Sequence, residues 1–190
     1  MTDTTVSTDT TTALTGERAD LLETLRAHRG FLLHTAAGLT DEQARQRPTA
    51  SELTIGGLIK HVAAVERDWA DFMRGTPSNM NADVDWSNPD PALVEQYQNG
   101  FKLLPGETLA GVIAEYEQVA AATDELVATL DLDTRYPLPE APWFPAGTTR
   151  SVRRVITHIV AETAQHSGHA DIIRESIDGA TVDVLAQRVS

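Results

Sequence analysis

Cysteine is absent from all 190 residues of this chain. Its absence excludes disulfide bonds, metal sites built from protein thiolates and a cysteine nucleophile. Any thiol chemistry that the protein carries out must therefore use a thiol that arrives as part of a substrate.

Positive charge is scarce as well. The chain has 15 lysines and arginines against 28 aspartates and glutamates, and its formal net charge is −13. Such a chain repels phosphate backbones and anionic lipid surfaces, so nucleic acid and membranes are not expected as partners. We expect a small-molecule substrate as the partner, and the composition leaves a homodimer open.

Long hydrophobic runs are missing too, because no apolar stretch approaches the roughly 18 residues of a membrane-spanning helix. The first residues, MTDTTVSTDTTTALTG, have neither the basic region nor the apolar region of a signal peptide. We expect residues 1–16 to be a disordered tail. Residues 17–190 are expected to form one cytoplasmic domain, since a hydrophobic content of 41% is enough to bury a core.

Four long segments place apolar residues at steps of three and four, which is the period of an α-helix. They cover about 17–37, 54–75, 108–130 and 151–177. Thr54 has the chemistry of a helix N-cap, residues 40–43 have the form of a capping box, and Gly38, Gly75 and Gly179 are expected helix stops. The predicted apolar face of the first segment consists of Leu21, Leu22, Leu25, Phe31 and Leu32.

The connections between these segments are rich in proline and glycine. Residues 75–107 form a long irregular connection, within which ALVEQYQNGF is compatible with a short helix. Residues 131–148, with LPEAPWFPAG at their centre, are expected to hold no regular element, and no alternation of period two predicts a strand. The sequence therefore predicts an all-α fold, a four-helix bundle with a long crossover connection between its second and third helices.

Polar residues interrupt the apolar face of the last helix, in RVITHIVAETAQHSGHADIIRESID. Glu162 and His166 lie four residues apart and so share one helix face, and His61 lies in the middle of the second long helix. For one histidine alone, an ordinary polar position is the better interpretation. Two imidazoles and one carboxylate together supply three ligands for a divalent metal and leave a position open, as in catalytic zinc sites. Iron, nickel and manganese suit the same donors.

Burial strengthens this interpretation, because a buried Glu162 needs a cation or a proton as its partner. His158 lies one turn before Glu162, and His169 lies one turn after His166. Two interpretations of each of these histidines are equally good. It orients a metal ligand through a hydrogen bond, or it lies at the rim of the site and forms its hydrogen bonds with water.

Three arginines, Arg150, Arg153 and Arg154, cluster at the start of the last helix, where the helix dipole disfavours cations. Pairing with the many carboxylates is the better interpretation, and an anion-binding mouth is the alternative. Trp143 and Phe144, just before this helix, are expected to fill the end of the hydrophobic core. The alternative is that they cover the end of the bundle as a lid. His28 and His34 in the first helix show no recognisable spacing and are interpreted as structural.

The segments LIKHVAAVERDW and ITHIVAETAQHSGHADIIRESIDG resemble the DinB-like superfamily, in particular its mini-circle protein branch, over about residues 17–179. The resemblance implies a metal triad of one residue from the second helix and two from the last, which are here His61, Glu162 and His166. Many members carry histidine where this chain has Glu162. That departure resembles the mycothiol-dependent maleylpyruvate isomerase, and the superfamily also contains bacillithiol and mycothiol S-transferases.

The resemblance thus implies a metal-dependent transferase that activates a low-molecular-weight, mycothiol-like thiol for attack on an electrophilic small molecule. Zinc is the expected metal, the thiol is the expected co-substrate, and His158 or His169 is the expected proton carrier. Two alternatives remain at this point: a metal-dependent hydrolase, and a non-catalytic metal-binding bundle.

Overall fold

The structure is a computed structural model that describes residues 14, 16–76, 88–139, 141–181 and 184. Within these ranges the chain forms six helices and two short strands. They are α1 (Glu17–His34), α2 (Asp41–Ala44), α3 (Ile55–Met73), α4 (Pro91–Asn99), α5 (Leu109–Thr129), β1 (Arg135–Pro137), β2 (Thr149–Ser151) and α6 (Val152–Asp178). The mostly helical content agrees with the all-α expectation. The predicted tail over 1–16 lies outside the described residues, apart from Leu14 and Gly16.

Local sequence sets the helix boundaries. The side chains of Thr40, Thr54, Thr108 and Ser151 each accept a hydrogen bond from the backbone N–H three residues further on, as N-caps do. The capping box over residues 40–43 is present. At the other end of α6, Gly179 adopts the left-handed conformation (φ 74°), which ends the helix. α1 ends at His34, before the predicted residue 37, and the chain continues through turns.

The four long helices α1, α3, α5 and α6 correspond to the four predicted segments. α3 packs against both α5 and α6, and α1 packs against the same two helices. Their apolar side chains form two separate clusters, one containing Leu32, Val62 and Ala170 and the other containing Leu25, Trp69 and Ile159. Among the described helices, none is long and apolar enough to cross a bilayer.

Buried polar side chains lie between the two apolar clusters. We call Arg29, Glu66, Thr123 and Thr163, one from each long helix, the polar layer; each is at most 5% exposed. On α6, for example, Thr163 follows the clustered Ile159 and precedes Ala170 of the other cluster. The proposed site residues on α6 therefore lie at the level of this layer.

One residue of the predicted apolar face is misplaced. Phe31 is 46% exposed, whereas Leu22, Leu25 and Leu32 are buried. Leu25 and Leu32 are seven residues apart and face the same way, and Phe31 is rotated about 100° from Leu32. The prediction of a core position for Phe31 was therefore wrong.

The two strands contradict the expectation that residues 131–148 hold no regular element and that no strand occurs. β1 and β2 pair antiparallel, with Tyr136 opposite Arg150. Strands of three residues are too short for an alternating pattern to appear in the sequence. Their pairing places Arg150 and the N-cap Ser151 directly before α6.

The short helix expected in the middle connection is α4, which Asp90 caps through the N–H of Ala92. None of its residues is buried. Residues 77–87 of the predicted crossover connection lie outside the described part of the chain.

Candidate metal centre

Three side chains from two helices meet between α3 and α6. One ligand atom from each of His61, Glu162 and His166 lies within 4.8 Å of the other two. The His61 and His166 rings meet edge to face, with centroids 4.9 Å apart, and Nε2 of His166 is 3.6 Å from Oε2 of Glu162. The structure thus brings together the three residues that the sequence pattern singled out.

Both imidazoles of this cluster are neutral at neutral pH. Burial lowers the pKa of His61 to about 4, and the proximity of His166 contributes. The pKa of His166 is lowered by burial and by the nearby His169. Neutral imidazole is the form that binds a metal, so neither ring needs to lose a proton first.

Glu162 is more exposed than the sequence suggested. Its side chain is 29% exposed, so the expectation that this carboxylate is buried was wrong. The carboxylate nevertheless lies between two imidazoles, because its other oxygen, Oε1, is 3.8 Å from Nε2 of His158. The geometry of the three donors, rather than burial, is what supports a metal site here.

His158 and His169 lie on either side of the cluster. The His158 ring also meets the Trp69 ring edge-on, with centroids 5.0 Å apart. Burial lowers the pKa of His158, and the Glu162 carboxylate opposes this shift. Nδ1 of His169 lies 3.5 Å from Nδ1 of His166. Each of the two histidines therefore touches one member of the cluster.

An aromatic ring that sequence reasoning missed covers His61. Phe101 stacks on the His61 ring, with centroids 3.9 Å apart and an interplanar angle of 22°. A Cβ at Gly57 would overlap the backbone carbonyl of Phe101, so glycine permits this close approach. Lys60 holds the same segment through an ion pair with Glu107 at 2.7 Å. No local pattern signals this contact, because Phe101 comes from the connection before α5.

A buried ion-pair network was missed as well. The guanidinium of Arg29 donates to both carboxylate oxygens of Glu66, and its Nη1 donates to Oδ1 of Asp124 at 2.6 Å. Glu66 is fully buried in the middle of α3. The available signal was its position, four residues after Val62 and three before Trp69 on the apolar face.

Two of the three clustered arginines behave differently. Arg153 pairs with Glu17 at 2.5 Å and also with Asp133, so the predicted pairing with carboxylates is confirmed for this residue. The guanidinium carbon of Arg150 lies instead over two aromatic rings, 4.9 Å from the centroid of Trp69 and 5.3 Å from that of Phe144.

The expectation that Trp143 plugs the core was wrong, because this residue is 57% exposed. Phe144 is partly buried and contacts Arg150.

Two of the cavities among the described residues lie away from the three donors. One, of about 630 Å³, is lined by residues of α1, α2 and α5 such as Leu33, Asp41 and Ile113. The other, of about 410 Å³, lies between α3 and α5. Neither is lined by a member of the His61, Glu162 and His166 cluster.

Comparisons with known proteins bear on this site. A search of curated proteins finds no significant match. A crystal structure of a conserved protein from Enterococcus faecalis is similar, with a TM-score of 0.62 and 16% sequence identity over 88% of this chain and 100% of that one. At this identity the likeness concerns the fold alone.

A family model described as mycothiol S-transferase matches residues 20–179, which include all of α3 and the histidines and glutamate of α6. The match extends over most of the described helices and confirms the DinB-like resemblance. The chain therefore belongs to the mycothiol S-transferase family of the DinB-like superfamily.

Proposed function

We propose that this protein is a metal-dependent transferase that activates a mycothiol-like thiol for attack on an electrophilic small molecule. The observation that carries the proposal is the convergence of His61, Glu162 and His166 within 4.8 Å, in a chain of the mycothiol S-transferase family. We further infer that the four long helices form a four-helix bundle with a long crossover, as their pairwise contacts support.

The donor set fits a divalent metal. Two neutral imidazoles and one carboxylate from facing helices are the kind and number of ligands that catalytic zinc sites use. A bound divalent ion supplies the positive charge that stabilises a thiolate at neutral pH. Zinc is the metal that we propose, and iron, nickel and manganese accept the same donors.

The thiol must come from outside, because the chain has no cysteine. We propose that His158 accepts the thiol proton, since its lowered pKa keeps it neutral and its Nε2 lies 3.8 Å from Glu162. The sulfur then forms a bond to the electrophilic carbon of the second substrate while the bond from that carbon to its leaving group breaks, and the leaving group takes up the proton that His158 accepted.

His169 is proposed to orient His166. Nδ1 of His166 faces Nδ1 of His169, and Nε2 of His166 is on the side of Glu162. If Nδ1 of His166 carries the proton, His169 can accept it in a hydrogen bond and fix the ring with Nε2 free to bind a metal. Phe101 restrains His61 in a comparable way, through stacking.

A non-catalytic metal-binding protein is the second candidate function. The observation in its favour is that the two cavities described above, of about 630 and 410 Å³, are not lined by the three donors. An enzyme of this class needs room for two substrates beside the site, whereas a metal that stiffens the helices needs none.

Cobalt substitution distinguishes the two candidates. Adding a mycothiol-like thiol to the cobalt-loaded protein is expected to produce a sulfur-to-metal charge-transfer band, and the band is expected to be lost in His166→Ala. His28→Ala, which removes a histidine of α1 outside the cluster, is the matched control and should retain the band. A spectrum that the thiol leaves unchanged would favour the non-catalytic candidate, and conjugation of an electrophile should be assayed on the same samples.

A further inference from the structure

Among the residues that the structure describes, no carboxylate forms an ion pair with Arg150. The chain carries 28 aspartates and glutamates against 15 lysines and arginines, so an acidic partner is easily found. Within the described ranges, Arg150 nevertheless has no ion pair, and its Nη1 is buried without a hydrogen-bond partner. Its neighbour in sequence, Arg153, pairs with two carboxylates.

Aromatic stacking explains only part of this arrangement. The rings of Trp69 and Phe144 interact with the guanidinium through their faces, at 4.9 and 5.3 Å from its carbon. The N–H donors of a guanidinium lie in its plane and still require acceptors. The buried Nη1 of Arg150 is therefore a donor for which the described residues supply no acceptor.

The local charge favours an anion. Arg154 lies four residues after Arg150, is exposed, and adds a second positive charge. The positive end of the α6 dipole points in the same direction. The charge of Arg153 is matched by Glu17 and Asp133, whereas among the described residues no ion pair includes Arg150 or Arg154.

Trp69 connects this arginine to the candidate metal centre. Its ring contacts the guanidinium of Arg150 and also the ring of His158, with ring centroids 5.0 Å apart. His158 in turn lies 3.8 Å from Glu162. Arg150 is thus connected to the cluster through the side chains of Trp69 and His158.

We propose that Arg150 binds an oxyanion, a carboxylate or a phosphate, carried by the electrophilic substrate at the end remote from its reactive carbon. A guanidinium donates two parallel hydrogen bonds to such a group, and Trp69 and Phe144 hold it in place for this purpose. The identification of the bound molecule as the substrate rests on the proposed transferase function, whereas the binding of an oxyanion by Arg150 does not depend on that function.

Binding is tested with the full chain, both metal-loaded and metal-free, because phosphate can also bind a metal. Inorganic phosphate, succinate and the uncharged succinamide are titrated, and the indole N–H of Trp69 is followed by NMR after assignment with Trp69→Phe. Phosphate and succinate should give a saturable shift in both forms of the protein, and succinamide none. A shift that requires the metal, or no shift, overturns the proposal.

Variants locate the binding site. Arg150→Gln should weaken anion binding tenfold or more, whereas Arg154→Gln, which removes a neighbouring exposed charge, should weaken it less than threefold. Equal losses in the two variants would mean diffuse attraction and no site. Arg150→Lys keeps the charge but not the paired donors, and should weaken binding at least threefold; unchanged binding in this variant also overturns the proposal. If Arg150→Gln does not fold, the Arg150→Lys variant alone tests whether Arg150 binds the anion.

Kinetics separate the source of the anion. With an acidic electrophile, Arg150→Gln should raise KM tenfold or more and leave kcat within threefold, and the methyl ester should show no such change. If phosphate binds through Arg150 while both electrophiles behave alike, the site holds free phosphate and the substrate assignment is overturned. If the anion binds but no thiol is ever conjugated, the proposed function fails and the oxyanion site stands.

Discussion

Glu66→Gln should destabilise the protein strongly although this residue is outside the candidate metal centre. The side chain of Glu66 is 0% exposed and that of its partner Arg29 is 6% exposed. Removing one charge of a buried pair typically costs about 3–5 kcal/mol, because the other charge stays buried without a partner. Asp124 still accepts a hydrogen bond from Arg29, so we expect the lower end, about 3 kcal/mol.

Urea unfolding followed by circular dichroism measures this loss, and for a chain of this size it corresponds to roughly 6–12 °C in Tm. Glu115→Gln is the matched control. It removes the same charge from a pair whose side chains are 52% and 44% exposed, and should cost less than about 1 kcal/mol. A loss in Glu66→Gln no larger than that of the control would refute the view that the buried Arg29–Glu66 pair stabilises the fold.

A double variant gives a second check on the same reasoning. Arg29→Met combined with Glu66→Leu leaves neither charge buried alone, and Asp124 keeps its bond to Arg26 at 2.7 Å. We expect the double variant to be more stable than Glu66→Gln, since apolar replacement of both partners is often neutral.

Two further predictions concern the three donors. The purified protein should bind about one divalent metal per chain, and His61→Ala and Glu162→Ala should each weaken chelator-competed metal binding tenfold or more, whereas His28→Ala should not. In metal-free protein the unfolding free energy should fall as the pH drops from about 6.5 towards about 4. Burial lowers the pKa of His61 to about 4, so between these two pH values His61 takes up a proton in the unfolded chain but not in the folded one. Urea unfolding across this window should show a shallower fall in His61→Gln, and parallel curves would contradict the assignment.

The helices could be predicted because their signals are local. Apolar residues recur every three or four positions, and Thr54, Thr108 and Ser151 mark the starts of α3, α5 and α6 with the expected hydrogen bonds. The pair Glu162 and His166 was visible for the same reason, since four residues on a helix fix their relation before any tertiary contact forms.

Other features depend on contacts that the sequence does not display. Phe101 reaches His61 from a connection, and the pairing of β1 with β2 joins residues on either side of a proline-rich stretch. Glu66 was overlooked because Arg67 and Asp68 follow it directly, and three charged residues in a row resemble a solvated surface. The helical period indicates that one of these three residues faces the core. It does not indicate which one, because three adjacent charged residues hide the direction in which the apolar face points.

The polar layer also determines the axial register of the helices. Apolar side chains are interchangeable enough that two helices packed through leucines alone can slide by one turn, about 5.4 Å, at little cost. Sliding α3 along its axis relative to α1 by that distance would place Glu66 or Arg29 among the apolar side chains of a neighbouring cluster, which is strongly unfavourable. Glu66 therefore fixes the axial position of α3. Because His61 lies five residues before Glu66 on the same helix, the Arg29–Glu66 pair also sets the level of the His61 imidazole, although the pair is not part of the donor cluster.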